Sequence, residues 1–158
     1  MRLLAVNLLH ELKSTDGLHH IALRDPELPI RIRAVEALGS LRATEPLLLA
    51  FEDRHVEVRK ATTEQLGRLG AAKSLHDLAL QDQAIAVRSV AVEWLGKLHK
   101  PQLLAAALED SAVELRLRTV ALLDAESFAP PLARAARCSP THAQSPALSP
   151  TPHSPLSP

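Results

Sequence analysis

Residues that could bind a metal or take part in catalysis are few, and they are scattered along the chain. The pairs His10-Glu11 and His19-His20 lie near the N-terminus, and Cys138 lies four residues before His142. A zinc site needs four such ligands, or three with a water molecule in the fourth position. Each group is therefore incomplete, and no Ser-His-Asp, P-loop or dinucleotide-binding motif is present. These residues predict no catalytic or metal-binding position, and no cofactor.

Charged residues of opposite sign recur at a constant spacing. An aspartate is followed six residues later by an arginine in four copies: Asp25 and Arg31, Asp53 and Arg59, Asp82 and Arg88, Asp110 and Arg116. Successive arginines lie 28, 29 and 28 residues apart, and such self-similarity is typical of repeat architectures. Four arginines in register could bind acidic groups of a ligand. We prefer a structural interpretation, in which each carboxylate accepts the free N–H groups in the first turn of the helix that follows it, and an arginine one repeat along bridges to it.

Each repeat also carries the same apolar pattern. At about 100° per residue, the positions one before the arginine and three, seven and ten after it fall on one helix face. They form the predicted core stripe: Ile30, Ala34, Leu38 and Leu41; Val58, Thr62, Leu66 and Leu69; Val87, Ala91, Leu95 and Leu98. Glycine lies eight residues after the arginine in three repeats, as Gly39, Gly67 and Gly96, and we expect it to allow close backbone approach near the helix end. The fourth repeat has Asp124 there.

The periodicity predicts an outer and an inner helix in each repeat. The outer helices are expected over 15–24, 43–52, 71–81 and 100–109, and the inner helices over 27–41, 56–69, 85–98 and 113–123. Residues 1–12 align with 30–41 at an offset of 29, so the chain is expected to open part-way through an inner helix, as in a fragment or a shortened isoform. We predict a repeat domain over 1–128, with truncated first and last repeats, and a disordered Pro/Ser-rich tail over 129–158.

The composition narrows the classes of partner. The 158 residues include 18 basic and 18 acidic side chains, so the chain lacks the positive charge that binding to nucleic acid or to an anionic membrane normally needs. No apolar run approaches the roughly 20 residues that span a bilayer. A single cysteine cannot form an internal disulfide, which is compatible with a reducing compartment. We expect a cytoplasmic protein with a protein partner.

The polar sector of the inner helices is the predicted partner-binding surface. It lies opposite the core stripe and holds seven candidate residues: Glu36, Lys60, Glu64, Arg68, Ser89, Glu93 and Lys97. Glu64 with Arg68, and Glu93 with Lys97, have the order that favours i, i+4 ion pairs. The sector is either a solvated face or the concave surface on which solenoids bind partners. Trp94, at the border of the core stripe, is predicted to be buried or half-buried and structural.

The sequences over 30–39, 58–67 and 87–96 resemble HEAT repeats, in particular the short units named after phycobilisome lyases. This resemblance implies an all-α fold, a right-handed α-solenoid of stacked antiparallel helix pairs of the HEAT-like or armadillo type. The same scaffold hosts adaptors, chromophore lyases and a metal hydroxylase. Deoxyhypusine hydroxylase, which the fold resembles, places His-Glu pairs directly after the repeat arginine. This chain has Ile32-Arg33, Lys60-Ala61, Ser89-Val90 and Leu117-Arg118 there, which cannot hold iron.

These features lead to three hypotheses. The first is a non-enzymatic HEAT-repeat scaffold that binds a protein partner on its inner-helix face, as part of a longer array. The alternative is a bilin-lyase-like or chaperone-like protein that acts on a ligand-bearing partner. The third is a truncated isoform without autonomous function, which self-associates through its exposed terminal repeats. The Ser-Pro and Thr-Pro pairs of the tail are either substrates of proline-directed kinases, SH3-binding segments or an inert end.

Overall fold

The computed structural model describes residues 1–127, apart from the side chains of Ala79, Glu126 and Ser127. Within this range every regular element is helical, which confirms the predicted all-α class. The predicted tail over 129–158 lies outside the described residues.

Nine α-helices follow one another in the described range, and short turns connect them. Their bounds are α1 (Arg2–Glu11), α2 (Thr15–Arg24), α3 (Leu28–Ser40), α4 (Thr44–Ala50), α5 (Val56–Arg68), α6 (Ala72–Ser74), α7 (Ile85–Lys97), α8 (Pro101–Leu104) and α9 (Val113–Ser127). The short helix α6 continues as a π-helical turn over Leu75–Ala79, and α8 continues as a 3-10 turn over Ala105–Glu109.

The predicted inner helices are α3, α5, α7 and α9, and the first three match their expected bounds within about one residue. Two differences concern regularity and length. The outer segments over 71–81 and 100–109 are not continuous α-helices, because such short segments depend on packing and follow the contacts they make. Helix α9 extends to Ser127, past the predicted end at 123, since Ala125 and Glu126 favour helix.

The odd-numbered helices pack side by side in chain order, α1 on α3, α3 on α5, α5 on α7 and α7 on α9. The even-numbered helices pack against them, with α2 on α1 and α3, and α4 on α3 and α5. The core stripe lies in the contacts between these helices. In each of the three repeats its alanine or threonine and its first leucine are buried, while its last leucine is half-buried. Thr62 is accommodated because its hydroxyl donates to the carbonyl of Val58 at 2.9 Å.

Each of the first four odd-numbered helices ends with a residue in the left-handed conformation. In α3 the N–H of Arg42 donates to Gly39 O and the N–H of Ala43 to Leu38 O, both at 3.0 Å, as in a Schellman motif. The four left-handed residues lie eleven positions after an arginine: Lys13, Arg42, Gly70 and His99. These turns set where the next helix begins.

Candidate functional site

The repeated aspartates organise the starts of the inner helices. In each, Oδ1 accepts the N–H of the residue two positions on, at 2.8 to 2.9 Å: Glu27, His55, Ala84 and Ala112. In α3, α5 and α7 that residue is the N-cap. The predicted N–H contact is therefore present, but it lies at the cap and not in the first helical turn.

The repeated arginines make contacts within their own repeat, and the first three also contact the repeat that follows. The Nη1 of each arginine donates to the backbone oxygen of the aspartate six residues earlier, at 2.7 to 2.9 Å in all four copies. In the first three copies the remaining edge of the guanidinium meets the aspartate of the following repeat. We call these aspartates and arginines the Asp–Arg ladder.

The rungs of the Asp–Arg ladder differ in geometry. Arg59 binds Asp82 through Nε and Nη2 at 2.7 and 3.0 Å, and Arg88 binds Asp110 at the same two distances. These are bidentate, charge-assisted contacts. Nε of Arg31 lies 2.9 Å from Oδ2 of Asp53 without hydrogen-bond geometry, and Nη2 donates at 3.4 Å. The charges of these three arginines are thus engaged within the chain.

Arg2 begins the Asp–Arg ladder, although it was not among the predicted repeat residues. Its Nη1 donates to Glu27 at 2.6 Å, and its Nε lies 3.8 Å from Asp25. The offset that aligns residues 1–12 with 30–41 also aligns Arg2 with Arg31, so the signal was present. The Arg2 side chain is about half exposed, and this contact contributes less than the buried rungs.

The Asp–Arg ladder lowers the pKa of two of its carboxyl groups, those of Asp82 and Asp110. Burial raises the pKa of Asp82, but hydrogen bonds from Arg59 and from the N–H of Ala84 outweigh it, so the pKa lies below its ordinary value. At Asp110 the hydrogen bond from Arg88 is the largest influence and lowers the pKa, although burial opposes it. The same two pairs raise the pKa of Arg59 and of Arg88. Both aspartates are therefore held in the ionised form.

We expect acid to weaken the fold through these two carboxyl groups. Because their pKa is lower in the folded chain than in the unfolded chain, their contribution is complete above the unfolded value of about 4 and is lost as the pH falls through the folded values. Urea unfolding from pH 7 to the acid range should show a smaller loss of stability in an Asp82→Asn, Asp110→Asn variant. An exposed-site Asp77→Asn variant should keep the wild-type pH dependence. Identical pH dependence in all three proteins would contradict this assignment.

The repeated glycines are contact points between neighbouring inner helices. A Cβ at Gly39 would lie 2.3 Å from the Gln65 side chain, and one at Gly67 would lie 2.3 Å from the Trp94 ring. At Gly96 the nearest atom, on Leu122, would be 3.1 Å away. Each glycine thus makes room for one side chain of the next inner helix, which we call the facing residue. The close approach at these glycines is thus between a side chain and a helix backbone, whereas the sequence predicted an approach of two backbones.

Trp94 is partly buried and packs against Gly67, as its predicted structural role requires. Nζ of Lys97 lies 4.5 Å from the centre of the indole ring, in a cation–π contact. In the described part of the chain no ion pair joins Lys97 to Glu93, with which the sequence pattern paired it.

The predicted partner surface consists of exposed and half-buried side chains on three helices that pack side by side. Lys60, Arg68 and Lys97 are exposed, and the four other candidates are half-buried: Glu36, Glu64, Ser89 and Glu93. Their arrangement corrects the expected i, i+4 pairs. Glu93 pairs with Arg118 of α9 at 2.6 Å, and between residues 1 and 127 no ion pair joins Glu64 to Arg68.

The three glutamates of this surface differ in their partners. Glu36 accepts Nη1 of Arg33 at 2.7 Å, in an i, i+3 pair, and Glu93 binds Arg118. In the described part of the chain Glu64 has no ion-pair partner. Glu93 pairs with Arg118 on the next inner helix, but the equivalent position on α7, the inner helix that follows Glu64, is Val90. Glu64 is thus a half-buried carboxylate whose charge is not compensated by a contact.

A small cavity of about 170 Å³ lies between α1 and α3 and contains the only His–Ser contact of the described residues. Ser40 Oγ donates to Ala37 O at 2.7 Å, so it accepts from Nε2 of His10, also at 2.7 Å. The hydroxyl proton therefore points away from the imidazole. This geometry is the reverse of the one that activates a serine nucleophile.

Among the residues the structure describes, no group of three metal-ligating side chains forms, and no helix is both long and apolar enough to cross a membrane. Comparison of the chain with protein-family models and with curated proteins finds no match. Function is therefore inferred from the geometry of the Asp–Arg ladder and of the inner-helix face.

Proposed function

We propose that this chain is a non-enzymatic scaffold of HEAT-like repeats, arranged as a right-handed α-solenoid, and that it binds a protein segment on its inner-helix face. Three contacts support the repeat arrangement: the arginines of the first three repeats each form an ion pair with the aspartate of the next repeat, at 2.7 to 2.9 Å. In such arrays each helix pair packs only against the neighbouring pairs, so contacts between neighbours hold the array together. Most of the repeated charges are used in this packing and are not free to bind a ligand.

The carboxylate of Glu64 is the observation that carries the binding proposal. It is half-buried at the centre of the inner-helix face, on the middle of the three helices that carry the candidate residues. Partial burial strengthens an electrostatic contact, and this carboxylate has no ion pair within the described range. We infer that a lysine or arginine of the partner segment binds Glu64, with Ser89 and Lys60 beside it. A cytoplasmic location stays a prediction.

Selection of peptides from a displayed random library tests this proposal, because it does not require the partner to be identified first. Peptides selected for binding to the full chain should carry a basic residue. Glu64→Lys should weaken them about tenfold or more without changing the melting temperature, because a lost close charge pair costs on the order of 1.4 kcal/mol or more. Adding Glu93→Lys should weaken binding further, at some cost in stability since Glu93 pairs with Arg118.

Glu45→Lys is the matched control, since it makes the same charge change at an exposed position of α4. It should leave peptide affinity unchanged. Equal losses in the Glu45 and Glu64 variants, or selected peptides without basic residues, would refute the binding site.

Two further proposals concern self-association of the chain and an alternative function. Helix α1 and its C-cap expose Leu4, Leu8 and Leu12 at i, i+4 and i+8, and we propose that this stripe supports self-association at high concentration. The bilin-lyase-like or chaperone-like alternative stays a prediction, for which a bound chromophore in purified protein would be the first sign.

A further inference from the structure

One ridge of each inner helix contacts the next inner helix. It consists of the repeated arginine, the residue four positions later and the residue eight positions later, which lie on one side of an α-helix. In α3 these are Arg31, Val35 and Gly39, and both ends of the ridge contact the following repeat, at Asp53 and Gln65. The middle residue is therefore covered by the same interface.

The ridge of α9 is uncovered. The middle residue is at most 1% exposed in the four earlier odd-numbered helices: Val6, Val35, Thr63 and Val92. Its counterpart Val120 is 45% exposed, and Asp124, at the glycine position, is exposed as well. Leu117, one residue after the arginine, adds a further exposed apolar side chain. The positions of Val120 and Asp124, which are buried in α3, α5 and α7, thus face outward on α9.

The guanidinium of Arg116 is already oriented to bind a carboxylate. Its Nη1 donates to Asp110 O at 2.7 Å and to Ser111 O at 3.1 Å, as Nη1 of Arg88 does to Asp82 O and Gln83 O at the same distances. In Arg88 the other edge holds a carboxylate. Among the side chains that the structure describes, no carboxylate occupies that edge of Arg116, and the sequence after Glu126 contains no Asp or Glu.

Asp124 restricts which helix can pack on this ridge. Only one earlier helix lacks glycine at the position, namely α1, which has His10 there. In the contact between α1 and α3, the residue of α3 that faces His10 is the small Ala37. Beside it, Ser40 Oγ hydrogen-bonds to His10 Nε2 at 2.7 Å. A polar side chain at the glycine position is thus accommodated by a small facing residue with a hydrogen-bonding neighbour. By the same geometry, a large facing residue such as Trp94 would collide with Asp124.

We propose that the Arg116–Val120–Asp124 ridge binds a helix of another polypeptide that is preceded by an aspartate and carries a small facing residue and a hydroxyl, as α3 does with Asp25, Ala37 and Ser40. The aspartate completes the Asp–Arg ladder at Arg116, and apolar side chains cover Val120. The hydroxyl, which in α3 donates to the carbonyl of Ala37, rotates to donate its proton to Asp124. The arrangement continues the three interfaces between α3, α5, α7 and α9. It is separate from the partner site at Glu64, so either assignment can fail without the other.

A synthetic peptide with the sequence of residues 24–41 is the probe, because it contains the required aspartate, alanine and serine. Titration of the full chain into the labelled peptide, followed by fluorescence anisotropy, should show saturable one-to-one binding below about 1 mM. An Asp25→Asn peptide should bind about tenfold more weakly, and so should the wild-type peptide to an Arg116→Gln chain. The two changes together should be no worse than either one alone, since they remove the same contact.

Two controls separate this contact from general effects. Arg118→Gln removes a positive charge two residues away, on the side that pairs with Glu93, and should leave the affinity unchanged. An Ala37→Trp peptide should bind more weakly than the wild-type peptide. Absence of saturable binding, an equal loss with Arg118→Gln, or additive effects of the Asp25 and Arg116 changes would overturn the proposal. The peptide variants test it on the unaltered chain even if Arg116→Gln perturbs folding.

Discussion

Replacing Asp82 with alanine is expected to lower the free energy of unfolding by about 3 kcal/mol, the lower end of the range for breaking a buried ion pair. The side chain of Asp82 is 3% exposed, and its two oxygens accept from Nε and Nη2 of Arg59 and from the N–H of Ala84. Alanine removes both acceptor oxygens, and with them all three hydrogen bonds, and leaves a largely buried guanidinium with only the carbonyl of Asp53. The substitution therefore leaves the buried guanidinium of Arg59 without an ion-pair partner and the N–H of Ala84, at the start of α7, without an acceptor.

Urea unfolding followed by far-UV circular dichroism measures this effect at neutral pH. Asp77→Ala, at an exposed site, should change the free energy of unfolding by less than about 0.5 kcal/mol. Asp82→Asn should fall between the two, because its amide oxygen can still accept the N–H of Ala84. If Asp82→Ala costs no more than Asp77→Ala, the Asp–Arg ladder does not stabilise the fold.

Gly67→Ala is the second change with a large expected effect, a destabilisation of about 2 kcal/mol. The new Cβ would lie 2.3 Å from the Trp94 ring, which is rigid and is held between α5 and Lys97. The ring must move, and the cost of repacking exceeds the gain of up to about 1 kcal/mol from the higher helix propensity of alanine. Since Trp94 is the single tryptophan, its fluorescence should report the displacement directly.

Gly96→Ala is the matched control for Gly67→Ala. Its Cβ would lie 3.1 Å from the flexible Leu122 side chain, which can rotate away, so the change should be nearly neutral. In a Trp94→Ala background the Gly67→Ala change should no longer destabilise, because the colliding ring is absent. A similar cost of Gly67→Ala with and without Trp94 would show that the ring does not determine the requirement for glycine.

The inner helices could be predicted from sequence because several signals agree on each of them. The spacing of aspartate, arginine and glycine marks each start and end, and the core stripe marks the buried face, so α5 and α7 match their predicted bounds closely. Pairing of an arginine with an aspartate of a neighbouring repeat followed from the chemistry of the two residue types. The arginine was expected one repeat after its aspartate, whereas the structure places it one repeat before. The bidentate geometry at Asp82 and Asp110 depends on the distance between helices, which no pattern within one helix contains.

Contacts between helices are where the sequence patterns failed. An i, i+4 rule considers one helix at a time, so it paired Glu93 with Lys97, whereas the structure pairs Glu93 with Arg118 and places Lys97 on Trp94. The isolated carboxylate of Glu64 was not predicted for the same reason. The outer segments after Ala72 and Pro101 carry no repeated polar motif, and their π-helical and 3-10 turns were not predicted. These features depend on neighbours that are distant in sequence.

The Asp–Arg ladder also determines how such a chain can change in length. Each repeat supplies one aspartate, bound by the arginine before it, and one arginine, which binds the aspartate after it. Insertion or deletion of one whole repeat of 28 or 29 residues therefore leaves every interior charge with a partner. A deletion that removes an aspartate but keeps the preceding arginine leaves a buried cation alone. Gene rearrangements in whole repeats are thus tolerated electrostatically, whereas those that remove an aspartate without an arginine, or an arginine without an aspartate, are not.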